Sequence, residues 1–133
     1  MDKNIRWLER FAHLEKAFLF LKEGLKHKTL TPLEEAGIIQ SFEFTFELSW
    51  KTLKDFLESR GIVALFPRDV LKEAFAVRLI QDNDTWAEML DKRNLLSHTY
   101  NREQASRSVE LIRKQYFQAL ELVYLELKKQ CSA

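Results

Sequence analysis

Glycine and proline, which interrupt helices, and cysteine, which forms the disulfides of small folds, are scarce in this sequence. Its 133 residues include three glycines, two prolines and one cysteine. Such scarcity favours long helices with short connections over a turn-rich β architecture. The single cysteine, Cys131, excludes an intrachain disulfide and fits a reducing cytoplasm. Its place near the C-terminus indicates an incidental thiol rather than a nucleophile.

Long apolar runs and a large net charge are also missing. No stretch is long enough to cross a bilayer, and no signal-peptide pattern follows the charged N-terminus, so we predict a cytoplasmic protein without membrane contact. The formal net charge is +1, from 21 basic and 20 acidic residues. That balance is not the basic one typical of nucleic-acid binders. Basic residues do outnumber acidic ones between positions 92 and 114, which allows either a modest basic zone or a solvated helix face.

The residues that are abundant point to a helical core. Hydrophobic residues make up 46% of the chain and aromatic residues 12%, enough for a sizeable core. Most of the apolar positions recur at helical spacing. We therefore predict an all-α fold, an up-and-down bundle of about five helices, in a single domain over residues 1–133.

Start and stop signals divide the first half of the chain into two helices. A first amphipathic helix ends near Gly24. The run Thr31-Pro32-Leu33-Glu34 combines an N-cap, a proline at the first helical position and a capping-box glutamate. It predicts a second helix that continues to about Arg60, where Gly61 stops it.

Three further helices follow. Pro67 opens a shorter helix that is predicted to run through Leu79, the cluster 81–84 can cap the next, and Asn101 caps the last. The last helix carries an apolar seam at steps of three or four residues, which is typical of the packing face of an antiparallel bundle or of a dimer interface. The residues of this seam are Ala105, Val109, Ile112, Tyr116, Leu120, Val123 and Leu127.

Chemically versatile side chains concentrate in one stretch, Arg93–Tyr100, on the fourth predicted helix. Arginine binds phosphates and imidazole titrates near neutral pH. Together, these two side chains are sufficient in principle to bind or cleave a phosphodiester without a metal. On a helix Asn94 and His98 share a face, but Arg93 is rotated by about 140° from His98. Two copies of the motif facing each other across the axis of a symmetric dimer would form a composite cleft.

The chemistry of this motif has two readings. His98 can take the proton from a ribose 2′-hydroxyl or deliver one to the leaving 5′-oxygen, while Arg93 stabilises negative charge on phosphorus. Alternatively, a histidine at a helix end only bonds the last carbonyls. No metal and no cofactor is predicted, because His13, His27 and His98 are scattered and no HxxxH or CxxC spacing occurs.

A second group of charged residues lies on the second predicted helix. Glu43, Glu47 and either Lys51 or Lys54 follow at steps of about four residues. One interpretation is an ordinary ladder of helix ion pairs, each worth about 0.2–0.5 kcal/mol. In the other, these side chains border the cleft and orient His98 or a nucleotide base.

The motif and several other segments of the sequence resemble those of a known family. The motif is similar to the Arg-x-x-x-x-His-x-Tyr signature of HEPN domains. Residues 40–51, QSFEFTFELSWK, resemble the second helix of small nucleotidyltransferase substrate-binding proteins. So do residues 67–74, PRDVLKEA, and residues 86–91, WAEMLD, so that the resemblance covers essentially the whole chain in order. One departure is Arg78, where relatives often have glycine; it bears on a helix end and leaves the motif intact.

The resemblance implies a helical bundle that forms a homodimer and a separate minimal nucleotidyltransferase as partner. Such pairs are regarded as toxin–antitoxin modules, in which the HEPN subunit can act as a metal-independent RNase and the transferase silences it by moving AMP onto a tyrosine. Carried over to this sequence, Arg93 and His98 would be catalytic, Asn94 would support them, and Tyr100 would be the modified hydroxyl.

Two other functions remain open at this stage. The chain could be a non-enzymatic subunit whose cleft binds a nucleotide or the substrate of the transferase, and its near-neutral charge favours this reading. It could also be a pure helical scaffold, in which the seam from Tyr116 to Leu127 serves only dimerisation.

Overall fold

The computed structural model describes residues 2–96 and 101–132, and its regular secondary structure in those ranges is helical throughout. The helices are α1 (Lys3–Leu25), α2 (Pro32–Ser59), α3 (Pro67–Ala76), α4 (Asn83–Leu96), α5 (Arg102–Leu111) and α6 (Phe117–Cys131). A π-helical turn, Ile112–Tyr116, connects α5 to α6 without a break, so these three pieces form the fifth long helix of the described chain. The predicted all-α bundle is confirmed.

Helix α2 is the centre of the bundle and contacts every other α-helix described. It begins with the predicted capping box, in which the Thr31 hydroxyl accepts from the Glu34 N–H and the Glu34 carboxylate accepts from the Thr31 N–H. It ends where predicted, beside Gly61. Its end lies against the start of α1, since Arg10 of α1 pairs with Asp55 at 2.7 Å. The two helices are therefore antiparallel.

The buried face of α2 mixes aromatic rings with hydroxyl groups. Phe42 and Phe46 are 0% exposed. Between and beyond them, Thr45, Ser49 and Thr52 each donate to the carbonyl four residues earlier, at 2.6–2.8 Å. A buried hydroxyl without a partner is costly, and these bonds remove that cost within the helix itself. Helix α2 can therefore be buried while carrying several polar residues.

The apolar seam of the last helix packs inside this chain. Its members from Val109 to Leu127 are buried against α1, α2 and α4, and the Tyr116 ring stacks on Phe42 with centroids 5.4 Å apart. The seam is thus the packing face of the bundle. The interpretation in which it serves only dimerisation is wrong, because these side chains have no surface left to offer a partner.

Helix α3 ends earlier than the sequence pattern predicts. It was expected to run through Leu79 but stops at Ala76, because Arg78 adopts a left-handed conformation with φ 65°. The Leu79 N–H then donates to the Ala74 carbonyl at 2.8 Å and the Arg78 N–H to the Phe75 carbonyl at 3.1 Å. This is a Schellman motif, whose left-handed position is usually glycine.

The end of α2 has the same hydrogen-bond pattern with glycine in place. Gly61 has φ 84°, and the Ile62 N–H donates to the Leu57 carbonyl at 2.9 Å. A left-handed conformation costs a non-glycine residue roughly 1–2 kcal/mol. Arg78 therefore stores strain that Gly61 avoids. None of the helices described is both long and apolar enough to cross a membrane.

We expect Arg78→Gly to raise the free energy of unfolding by about 1 kcal/mol, because glycine relieves the strain at the end of α3. Urea denaturation of both proteins measures the difference. Arg60→Gly is the matched control, since Arg60 also lies just after a helix but has φ −102°, and it should not stabilise the chain. An Arg78→Gly protein no more stable than the original would contradict the strain argument.

Candidate functional site

The carboxylate of Glu47 connects α2 to the motif helix α4. Its Oε1 accepts from Arg93 Nη1 at 2.5 Å, and its Oε2 accepts from Trp50 Nε1 at 2.9 Å. The Arg93 side chain is 26% exposed and that of Glu47 36% exposed, so the pair is partly shielded from water. Hydrogen bonds between ionised groups are short and directional. Arg93 is thus held in one orientation by a residue 46 positions away.

Helix periodicity and one aromatic contact explain this arrangement. Phe46 packs against Trp86 of α4 with ring centroids 5.8 Å apart, which fixes the spacing of the two helices. Glu47 is the next residue along α2, and Arg93 lies two helical turns after Trp86 on the same face of α4. Trp50 lies one turn after Glu47, so its indole N–H reaches the second carboxylate oxygen.

Lys51 belongs to the same group of side chains. Its Nζ lies 5.9 Å from the centroid of the Trp50 ring, within the range of a cation–π contact. Within the described ranges, no ion pair joins Glu47 to Lys51 or Lys54, and Glu47 pairs across helices with Arg93 instead. Glu43 lies one turn before Glu47 and is partly buried. The ladder interpretation therefore fails for Glu47.

Part of the predicted motif falls outside the described residues. Asn94 lies in α4, but its side chain is not among those described, and neither are His98 and Tyr100. The structure brings together three predicted site residues, Arg93, Glu47 and Lys51, around Trp50. Their relation to His98 stays a prediction.

A cleft of about 520 Å³ opens beside Arg93. This volume lies within the roughly 300–1,000 Å³ typical of small-ligand sites. Its lining residues are Phe66, Pro67, Arg68, Asp69, Leu90 and Arg93. The sequence does not indicate that Phe66 and Arg68 line this cleft, because their pattern signals only the start of α3.

The local excess of basic residues is mostly used within the chain. Lys92 pairs with Glu88 at 3.0 Å, and Lys114 pairs with Glu110 at 3.4 Å. Arg113 donates to two backbone carbonyls at the end of α1, where a cation is favourable. The modest basic zone that the sequence allows is therefore largely neutralised by its neighbours.

Tyr116 lies close to this region but is no candidate for proton transfer. It is 0% exposed, and its hydroxyl has no hydrogen-bond partner among the residues described. Burial, and secondly the carboxylate of Glu88, raises the pKa of Tyr116 far above its usual range. The hydroxyl stays protonated. Among the side chains described, no three His, Cys, Asp or Glu residues cluster in a way that could hold a metal ion.

Comparison with known proteins gives a consistent family and fold. A model of the family described as nucleotidyltransferase substrate binding protein like matches residues 9–129. The crystal structure of a Thermus thermophilus protein is similar, with a TM-score of 0.77 and 34% identity over 86% of this chain and 98% of that one.

Two comparisons with Haemophilus influenzae also show similarity. A solved structure, reported to reveal the fold of a substrate-binding domain of a nucleotidyltransferase, matches with a TM-score of 0.63 and 28% identity over 95% of this chain and 98% of that one. A sequence named probable ribonuclease HepT is 43% identical over 75 residues, 53% of this chain. The match spans 51% of that relative, about half of its length.

We expect Glu47→Ala and Arg93→Ala to be energetically coupled. Partly exposed ion pairs typically contribute up to about 1 kcal/mol, so the double-mutant cycle should give a coupling of about 0.5–1 kcal/mol that falls as salt is added. Urea denaturation of the two single variants and the double variant measures it.

Glu47→Ala combined with Lys51→Ala is the matched control for this cycle. Its coupling should be smaller than that of Glu47 with Arg93, because Glu47 and Lys51 form no ion pair within the described ranges and meet only through Trp50. If Glu47 coupled more strongly to Lys51 than to Arg93, the observed geometry would be contradicted. The interpretation of Glu47 as part of a ladder of ion pairs along α2 would then be correct.

Proposed function

The chain belongs to the nucleotidyltransferase substrate binding protein-like family, and on that premise we propose a specific function for it. The chain is a HEPN-type subunit that pairs with a minimal nucleotidyltransferase in a toxin–antitoxin-like module and cleaves RNA without a metal. The observation that carries this proposal is the fixed Arg93, held by Glu47 at the edge of an open cleft. The similarity to a probable ribonuclease supports it.

Arg93 has the properties that a phosphate-binding residue needs. A guanidinium carries five N–H donors in a planar fork, and the bond to Glu47 uses one of them. Because Glu47 and Trp50 fix the orientation in advance, little side-chain entropy is lost when a phosphate binds. Arg93 then stabilises the additional negative charge that develops on phosphorus during cleavage.

His98 moves the protons in the proposed reaction. It takes the proton from the ribose 2′-hydroxyl as the 2′-oxygen attacks phosphorus, or delivers one to the 5′-oxygen as the bond from phosphorus to that oxygen breaks. The products are a 2′,3′-cyclic phosphate and a free 5′-hydroxyl. Asn94, four residues before His98 in the sequence, supports the imidazole. Glu43 and Lys51, beside Glu47 on α2, border the composite cleft of the proposed dimer and do not line the cavity beside Phe66.

The proposed site is completed by a homodimer. A regular helix would rotate Arg93 by about 140° from His98, and a single helix of that kind would present the two side chains in different directions. Two motif helices facing each other across a twofold axis place Arg93 of one subunit near His98 of the other. Both residues then reach one phosphate.

Regulation in this proposal acts on Tyr100. The partner nucleotidyltransferase transfers AMP from ATP to the tyrosine hydroxyl, with release of pyrophosphate. The new phosphodiester carries negative charge only two residues from His98, and the nucleoside adds bulk. Both effects hinder access of the RNA phosphate to the site.

A second candidate is a non-enzymatic subunit that binds the substrate of the nucleotidyltransferase. The solved Haemophilus influenzae relative described as a substrate-binding domain favours it, and so does the internal neutralisation of the basic residues. In this case the cleft beside Arg93 binds a nucleotide or another transferase substrate, and no bond is broken.

We expect the purified chain to cleave labelled cellular RNA in EDTA and His98→Ala to reduce the rate at least about 100-fold, since general acid–base catalysis contributes roughly 10²–10⁴. Arg93→Lys should also be impaired, because it keeps the charge but loses the planar fork. Product analysis should find 2′,3′-cyclic phosphate ends. His13→Ala, which removes an exposed histidine of α1, is the matched control and should cleave normally.

The alternative function predicts a different outcome of the same assay. If the original chain, confirmed by mass spectrometry to lack AMP on Tyr100, leaves RNA intact but binds nucleotide, the RNase proposal is wrong and the binding-subunit proposal stands.

Incubation with the partner nucleotidyltransferase and ATP should add the mass of one AMP to Tyr100 and stop RNA cleavage. Tyr100→Phe should cleave RNA but resist this silencing, because it lacks the acceptor hydroxyl. Tyr124→Phe is the control. It removes a hydroxyl of α6 that donates to Glu15 at 2.6 Å, and this variant should be silenced like the original chain. Silencing of Tyr100→Phe would rule out the proposed modification site.

A further inference from the structure

We propose that the cleft between Phe66 and Arg93 is a base-stacking subsite for single-stranded RNA. It holds the nucleobase next to the phosphate that Arg93 binds, with Phe66 as the stacking platform. The inference rests on the proposed RNase function and adds to it a residue of α3 that determines how the substrate is held.

Phe66 is exposed but held by a well-defined backbone. Its side chain is 67% exposed, although it stands at the N-cap of α3. The Phe66 carbonyl accepts from the Val70 N–H at 2.9 Å, and Pro67 follows directly. Because proline fixes its own φ and restricts the residue before it, the ring projects from a stiff segment. A rigid exposed aromatic ring loses little entropy when a base stacks on it.

The charges around the cleft suit an RNA segment. Arg93 and Phe66 both line the cleft. Asp69 lies one helical turn after Phe66, so its carboxylate disfavours a phosphate in its immediate neighbourhood but tolerates a neutral base. Arg68, which is 69% exposed, pairs with Asp91 at 2.5 Å. Exposed pairs of this kind are weak, so the guanidinium can exchange Asp91 for a neighbouring phosphate.

These features favour single-stranded RNA over a protein segment as the occupant. Proteins that bind single-stranded nucleic acids combine exposed aromatic rings, on which bases stack, with nearby cations for the backbone. The cleft pairs one such ring with two arginines. Three of the six lining residues are charged, which suits a nucleotide better than an apolar protein segment. The exposed Val63 and Leu65 line a neighbouring cavity that Phe66 shares, so the association with the nucleotidyltransferase is measured alongside RNA binding.

The test uses the full chain with His98→Ala, so that binding is measured without cleavage. The probe is a short fluorescein-labelled single-stranded RNA of mixed sequence. Phe66→Leu should weaken binding about tenfold, the order of magnitude of one base–aromatic stack, whereas Phe66→Tyr should bind normally. Phe20→Leu is the matched control, because Phe20 is 75% exposed on α1 and lines a separate cavity.

A second readout requires no substitution at Phe66. RNA that contains 4-thiouridine should photo-cross-link to the peptide carrying Phe66, and mass spectrometry identifies the linked residue. This result would support the subsite even if Phe66→Leu proved unstable.

The outcomes separate this inference from the function on which it rests. If the original chain cleaves RNA but Phe66→Leu binds it with unchanged affinity and no cross-link reaches Phe66, the subsite is wrong and the RNase proposal stands. If Phe66→Leu binds RNA normally but no longer associates with the nucleotidyltransferase, the surface docks protein and the inference is overturned. If no chain binds or cleaves RNA, both proposals are wrong.

Discussion

The bridge from Glu47 to Arg93 and Trp50 is the interaction on which the candidate site depends. It crosses from the central helix α2 to the motif helix α4 and uses both carboxylate oxygens. Removing the carboxylate would leave a partly buried guanidinium without its partner, and such losses cost more than the net contribution of the pair. Arg93 therefore has a defined position because α2 supplies one, and the short motif alone does not.

The bundle explains why α2 can supply that position. Helix α2 contacts every other α-helix described, its aromatic face is fully buried, and its hydroxyl groups are satisfied within the helix. Core packing of this kind is dense and resists displacement. The packing of Phe46 on Trp86 sets the spacing of α2 and α4. In the proposed function, the chemistry is thus carried by Arg93 and the neighbouring cleft, on a scaffold whose rigidity comes from its core.

Sequence patterns predicted the features that depend on neighbouring residues. The Thr31 capping box, the stop at Gly61 and the cap at Asn101 are all present, because each is a local hydrogen-bond pattern. The end of α3 was predicted wrongly, since no pattern shows that Arg78 will take a glycine-like conformation. The π-helical turn was also missed, because steps of three and four residues continue through it. Pairing of Glu47 with Arg93 depends on tertiary packing, and the sequence did not indicate it. The two interpretations drawn from the sequence were a ladder with Lys51 or Lys54 and a carboxylate that orients His98 or a nucleotide base.

In the proposed function, Arg93 and His98 from two subunits form one RNA-cleaving site, and subunit mixing can show whether the site is shared in this way. Arg93→Ala and His98→Ala chains are each expected to be inactive on their own. After they are mixed and allowed to exchange subunits, cleavage should recover to roughly a quarter of the original rate, because half of the dimers would carry one intact site of two. A mixture as inactive as either parent, alongside an active original chain, would contradict a site shared between subunits.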